Sequence, residues 1–191
     1  MNIGIDIDGC ITDIARFIAD YGIKFCYENN IKYNLKENEY DEAKALGISD
    51  ELAEKFWNEY LGFYATKYKT RDFAKEVIDK LKEKNKIYII TARNEEGLPK
   101  ELYGCMQKMV IKWLGDNEIK YDKLIFSKGS KLPYCLENNI DIMIEDSPRN
   151  LLDISNKIPV LCFDNPYNKE IEGKNIRRVY SWYDILDKIK N

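Results

Sequence analysis

Acids stand in this sequence where apolar residues would be expected. Asp6 and Asp8 alternate with isoleucines in Ile3-Gly4-Ile5-Asp6-Ile7-Asp8-Gly9, and Glu145-Asp146 close a second greasy run at 140–144. Two other apolar runs end in hydroxyls and cations: 87–90 leads into Thr91-Ala92-Arg93, and 124–126 into Ser127, Lys128 and Lys131. A buried carboxylate without a proton or a cation is strongly disfavoured. Two unit charges about 4 Å apart repel by roughly 4 kcal/mol at an effective dielectric of about 20. If these runs place their ends together, Asp6, Asp8, Glu145 and Asp146 form a cluster that calls for a divalent cation. The chain has no histidine at all, so an all-oxygen ligand set is expected, and that chemistry points to Mg²⁺. The same absence excludes imidazole bases and most zinc sites.

The elements that must position these residues are legible as well. The runs 3–7, 87–90, 124–126, 140–144 and 159–163 are short and rich in Ile or Val, as strands buried on both faces of a parallel sheet are. Helix-period segments lie between them, with Phe73, Val77, Ile78 and Leu81 forming one apolar face and Leu102, Met106, Met109, Val110 and Trp113 another. Ser147-Pro148 reads as an N-cap followed by a first-turn proline. The alternation predicts right-handed crossovers and an α/β fold, a three-layer Rossmann-like core around a parallel sheet. In such folds ligands bind beyond the carboxyl ends of the strands, where the acids, Thr91 and the lysines are expected. Period-two alternation sends Asp6 and Asp8 the same way, and Gly9 lets the chain turn away closely.

One stretch breaks the rhythm. From about residue 14 to 70 no strand is apparent, and two amphipathic helical segments, 14–27 and 50–68, flank a polar loop at 29–42. The expected division is a core of residues 1–14 and 71–191 with a small helical cap, 15–70, inserted after the first strand.

The 191 residues are 45% hydrophobic and 33% charged, a globular profile, and the net charge of -3 gives no basic surplus for duplex nucleic acid. Five scattered cysteines without a CxxC read as reduced, mostly buried thiols. No run approaches the ~18 apolar residues of a membrane span, and the acids come too early for a signal peptide. A cytoplasmic location is expected.

Asp6–Gly9 (DIDG), the run ending in Thr91, Lys131 and the pair Glu145-Asp146 resemble, in order and spacing, the four motifs of the haloacid dehalogenase (HAD) superfamily. Within it, Thr91-Ala92-Arg93 and the stretch 138–150 (NNIDIMIEDSPRN) resemble the small 5′-nucleotidases that include the 5′(3′)-deoxyribonucleotidases. The resemblance implies a Mg²⁺-dependent phosphomonoesterase acting on a small phosphorylated metabolite, such as a nucleoside monophosphate. It implies Asp6 as nucleophile through an aspartyl-phosphate, Asp8 as acid and then base, and Thr91 bound to the phosphoryl group. Backbone N–H groups following Asp8 and Thr91, at Gly9 and Ala92, would help bind it. Lys131 would neutralise phosphate charge, and Asp6, the Asp8 carbonyl, Asp146 and Glu145 would hold the cation, Glu145 directly or through water. Cys10 stands where these proteins more often carry Thr or Val, and Lys128 competes with Lys131 for the third motif.

Arg93 is expected either to touch phosphate or to pair with a carboxylate. The insertion's aromatic residues should pack its helices together, with Phe17 and Tyr21, nearest the acids in sequence, as candidates to stack on a base. The loop 164–174 reads as a surface connection and Arg177-Arg178 as a solvated face. A sugar-phosphate phosphatase or phosphomutase is the rival enzyme reading. Asp8 argues against a dehalogenase, which has no leaving group to protonate. A phosphorylatable or silent phosphate-binding module is the reading from another class; such a module would be shorter and would not need the insertion.

Overall fold

Isoleucine-rich runs become strands here because their side chains are buried on both sides of the sheet. A computed structural model describes residues 1–95 and 100–190. The strands are β1 (Asn2–Ile5), β2 (Lys86–Thr91), β3 (Lys123–Phe126), β4 (Ile142–Glu145), β5 (Val160–Phe163) and β6 (Ile176–Val179). All are parallel, in the order β3-β2-β1-β4-β5-β6. The chain moves outward from β1 to β3 and then returns to the other side of β1, so the topological switch point lies beside β1.

Alternation along the strands builds two cores. Ile3, Ile5, Ile87 and Ile89 pack with residues of α5 (Ala74–Lys82), α6 (Met106–Asp116) and α9 (Trp182–Lys190) on one face. Ile90, Met143, Val160 and Cys162 pack with α7 (Leu132–Glu137) and α8 (Pro148–Ser155) on the other. This is the three-layer α/β architecture that the sequence predicts. Trp113 and Trp182, both essentially buried, fill the larger core, where full burial of such a side chain contributes on the order of 3 kcal/mol.

Between β1 and β2 come only helices and loops, and ahead of α5 the insertion carries α1 (Ile14–Phe17), a π-helical turn Ile18–Gly22, α2 (Ile23–Glu28), α3 (Glu42–Leu46) and α4 (Asp50–Lys67). Their own core is aromatic, with Phe17, Phe25, Phe56, Tyr60, Tyr64 and Tyr68 buried together. Gly22 lets this run approach α3, since a Cβ there would sit 2.7 Å from a Leu46 methyl. The segments leaving and rejoining the sheet run side by side, joined by an antiparallel bridge between Thr12 and Thr70 and by Arg71 N–H donating to Ile11 O at 2.6 Å. Among the described residues no helix is long and apolar enough to cross a membrane.

Three expectations need correction. Phe73 belongs to no helical face: it precedes α5 with φ +64° and is 59% exposed. Leu102 lies in a separate 3₁₀ turn, Lys100–Leu102, ahead of α6. Of the basic pair in the sixth strand, Arg177 is exposed as expected, but Arg178 is not a free solvated residue: its Nη1 donates to Asp164 Oδ1 and Asn168 Oδ1, both at 2.8 Å.

Candidate active site

Strand register aligns the acids. Ile5 pairs with Ile144 and with Ile89, so Asp6 stands level with Glu145, and Asp6 N–H donates to Ile144 O at 3.0 Å. Beyond Asp6 the chain makes a π-helical turn, Ile7–Ile11, in which Gly9 has φ +80°. A Cβ at Gly9 would collide with the Asp146 carboxylate and crowd the Tyr167 hydroxyl, so only glycine admits both groups.

Asp6, Glu145 and Asp146 are buried and each brings a carboxylate oxygen to within 4.8 Å of the others. Lys131, just before α7 and 2% exposed, reaches Asp6 Oδ1 at 2.7 Å and Glu145 Oε2 at 2.8 Å. Lys128 is exposed, and its backbone N–H donates to the Tyr134 hydroxyl at 3.1 Å; Lys131 is the lysine at the acids. Burial works against the Lys131 ammonium, but Asp6 and Glu145 outweigh it and hold its pKa above the ordinary value. The other Glu145 oxygen, Oε1, accepts the Asp146 and Ser147 N–H groups at 3.1 and 3.0 Å.

Asp8 is held differently. Arg93 Nε donates to both of its oxygens at 3.1 Å, Arg93 Nη2 to Oδ1 at 2.8 Å, and the Tyr64 hydroxyl of α4 to Oδ1 at 2.7 Å. The Arg93 guanidinium is 4% exposed and packs near the Tyr64 and Trp113 rings, 5.0 and 5.3 Å from their centroids. Of the two contacts foreseen for Arg93, the structure makes the carboxylate one. Burial opposes ionisation of Asp8, yet Arg93 and Tyr64 prevail and keep its pKa below the usual carboxylate value.

The two remaining acids move the other way. Burial pushes the Asp6 carboxyl up to about 8 against the pull of Lys131, with Glu145 and Asp8 adding to the rise. Burial, then Glu145 and Asp6, push Asp146 well above the ordinary value. With all four acids ionised, two cations would leave two negative charges unbalanced, and the acids short of counter-charge are Asp6 and Asp146, the two whose pKa burial raises. Among the described residues the clustered ligands are the oxygens of Asp6, Glu145 and Asp146, a set that fits a hard divalent cation such as Mg²⁺.

Thr91 ends β2 fully buried, and its Oγ1 accepts the Arg93 N–H at 3.3 Å; Ala92 beside it is exposed. Ser127 ties the neighbouring strand end to Thr91 O at 2.8 Å through its N–H. Asp8 opens on two spaces. A cleft of about 710 Å³ is lined by Trp57, Tyr64, Ala92, Arg93, Tyr103 and Met106. A cavity of about 370 Å³ is lined by Ile14, Tyr40, Arg71, Asp146 and Tyr167.

Phe17 and Tyr21 line neither space. Phe17 is fully buried, stacked on Tyr21 at 4.6 Å between ring centroids and packed against Tyr64 and Tyr68, so proximity in sequence does not bring it to the acids. The residues that do reach them, Tyr64 and Tyr167, carry no signal in the chain beyond being aromatic. The loop 164–174 is a surface connection only in its second half, where 169, 170 and 172–174 are exposed; in its first half Asn165 and Asn168 are buried, and Asn168 Nδ2 donates to Asp146 O at 2.8 Å.

A parallel sheet in this strand order, with carboxylates and a buried lysine at its carboxyl edge, defines an HAD-like hydrolase. The model of the family "5′ nucleotidase, deoxy (Pyrimidine), cytosolic type C" matches residues 1–191. A nucleotidase of Clostridium acetobutylicum is 32% identical over 197 residues, covering 99% of this chain and 95% of its own. A haloacid dehalogenase-like hydrolase of Streptococcus pneumoniae shares the fold with a TM-score of 0.66 at 13% identity, over 98% of this chain and 97% of that one. The HAD hydrolase YfnB of Bacillus subtilis, solved bound to magnesium, shares it with a TM-score of 0.56 at 14% identity, over 100% and 98% of the two chains. The chain belongs to the cytosolic type C 5′-nucleotidase family and is a hydrolase of phosphoric monoesters.

Proposed function

We propose that the protein dephosphorylates nucleoside monophosphates through an aspartyl-phosphate on Asp6, with Mg²⁺ as cofactor. The observation that carries this reading is the buried set Asp6, Glu145, Asp146 and Lys131 at one strand edge, two negative charges in excess once its acids are ionised. Residues 15–70 serve as a cap over a core of residues 1–14 and 71–191. The cleft beside Asp8, about 710 Å³ and walled by Trp57, Tyr64 and Tyr103, has room and flat faces for a nucleoside.

The Asp6 and Asp146 carboxylates and the Asp8 carbonyl would hold the cation, which offsets the charge between an anionic nucleophile and an anionic phosphate. Glu145 fixes Lys131 through Oε2 and would join the cation's surroundings directly or through water. Lys131 steadies Asp6 as a carboxylate through Oδ1 and meets the phosphoryl charge. Thr91 and the backbone N–H groups of Gly9 and Ala92 bind the phosphoryl oxygens. Asp6 attacks phosphorus while the ester P–O bond breaks, and Asp8 gives its proton to the departing alcohol. An incoming phosphate dianion opposes the hold of Arg93 and favours the protonated form of Asp8 that this step needs. Once the proton has left, Arg93 and Tyr64 stabilise the Asp8 carboxylate. That carboxylate takes a proton from the water that attacks phosphorus, the bond to Asp6 breaks, and phosphate departs.

The test is phosphate release from nucleoside monophosphates and sugar phosphates, with and without Mg²⁺. Mg²⁺-dependent turnover of nucleotides that Asp6→Asn abolishes is expected. Turnover of sugar phosphates alone would reject the substrate class, and undiminished turnover by the variant would reject the nucleophile.

A further inference from the structure

Among the described acids of the site, Asp146 has no cationic partner. Its neighbours are the Cys10 thiol, 3.9 Å from Oδ1, and the Tyr167 hydroxyl, which donates to Oδ2. Tyr167 sits in a 3₁₀ turn, Pro166–Asn168, on the loop after β5, and that turn is fastened from several sides. Asn165 Nδ2 donates to Gly9 O at 3.1 Å, and Arg71 Nη2 to Asn165 Oδ1 at 2.7 Å. Asn168 Nδ2 reaches Asp146 O and Phe163 O, at 2.8 and 2.9 Å, while Arg178 grips Asn168 Oδ1. The Tyr167 ring therefore leaves a rigid base. Its outer edge meets Tyr40, from the loop between α2 and α3, at 5.2 Å between centroids and 77° between planes.

We propose that Tyr167 is a positioning residue for the cation, fixing the Asp146 carboxylate through Oδ2 so that it faces Asp6, with Tyr40 bracing the ring from the insertion. This rests on the reading of Asp6 and Asp146 as cation ligands. A freely rotating carboxylate loses orientation entropy each time it ligates, whereas one already held by a donor does not. Partners of this kind alter metal affinity by about 10- to 100-fold when removed. Tyr40 acts through one edge-to-face ring contact, equivalent to a change of about 2- to 10-fold. The loop carrying Tyr40 thus sets how well the core holds its cation.

The experiment is calorimetric titration of Mg²⁺ into the full-length, metal-free protein, compared among wild type, Tyr167→Phe and Tyr40→Ala. It is paired with Mg²⁺-activation curves for nucleoside monophosphate hydrolysis. Tyr167→Phe should weaken Mg²⁺ binding by about 10- to 100-fold, and Tyr40→Ala in the same direction by less. Activity lost at low Mg²⁺ should return as Mg²⁺ is raised, which general misfolding would not allow. Unchanged or tighter binding in Tyr167→Phe overturns the inference. Absence of Mg²⁺ binding in the wild type instead overturns the cation site on which it rests. Should Tyr167→Phe not fold, an unmoved Mg²⁺ affinity in Tyr40→Ala overturns the bracing contact on its own.

Discussion

Replacing Arg93 by Met keeps a long side chain against Tyr64 and Trp113 but removes the guanidinium from Asp8. The pair is shielded, with the Arg93 side chain 4% and that of Asp8 25% exposed. Breaking a buried pair from one side costs about 3–5 kcal/mol, because the other charge stays buried without its partner. Asp8 keeps the Tyr64 hydroxyl and some solvent, which places the expected loss at the lower end, about 3 kcal/mol. For a chain of this size each kcal/mol moves Tm by about 2–4 °C, so Arg93→Met should melt about 6–12 °C lower. Function should shift as well. Arg93 holds the Asp8 pKa down, so its removal should move the limb of the pH–rate profile set by Asp8 to higher pH. Thermal unfolding and pH–rate profiles of wild type, Asp8→Asn, Arg93→Met and the double variant form one cycle. The double variant should lose less stability than the two singles together, by about 0.5–3 kcal/mol. Strictly additive losses, or an unmoved pH limb, would refute the clamp.

Lys131→Met strands the buried Glu145 without a cation and takes from Asp6 its ammonium donor in the metal-free protein; it should cost about 3–5 kcal/mol in unfolding experiments and remove turnover. A variant as stable as wild type would show that the pair is not what makes the buried acids tolerable. Metal-free protein should lose stability as pH rises. The folded Asp6 pKa of about 8 exceeds its ordinary 3.8, so between those values the folded state holds a proton that the unfolded chain lacks. Tm measured in chelator should therefore fall from about pH 5 to about pH 8, and Mg²⁺ should raise it more at the upper end; a rise with pH in chelator would contradict this. Asp8, shifted down, acts with the opposite sign and only below its ordinary 3.8. Phe17→Ala should cost about 3–5 kcal/mol of stability while leaving KM for a nucleotide in place. A KM effect without a stability loss would return Phe17 to the substrate.

Much of this was legible in the chain. Central parallel strands are buried on both faces, so β1, β2, β4 and β5 read as unbroken apolar runs, and acids at their ends stand out by contrast. The strand Ile176–Val179 lies at the sheet edge and carries two arginines, which erases that contrast. Asp6, Asp8, Glu145 and Asp146 could be found because a carboxylate next to isoleucines needs a reason. Tyr64 and Tyr167 could not, because aromatic residues are also ordinary packing, and only the tertiary path brings one of fourteen tyrosines over Asp8 and another to Asp146. Phe17 misled for the converse reason: a short helix turned it inward, four residues after Asp13. The loop 164–174 looks soluble by composition, yet its buried asparagines satisfy the carbonyls of Gly9 and Asp146, in the turns that follow β1 and β4.

The central claim is that Asp6 and Asp146 share one cation beside the phosphate site. A crystal structure of Asp6→Asn soaked with a nucleoside monophosphate and Mn²⁺, with the anomalous signal locating the metal, tests it directly. An ion about 2.1 Å from oxygens of residues 6 and 146 and in contact with the phosphate is predicted. A metal bound elsewhere, or a phosphate seated away from this rim with Asp146 still on Tyr167 alone, would contradict it.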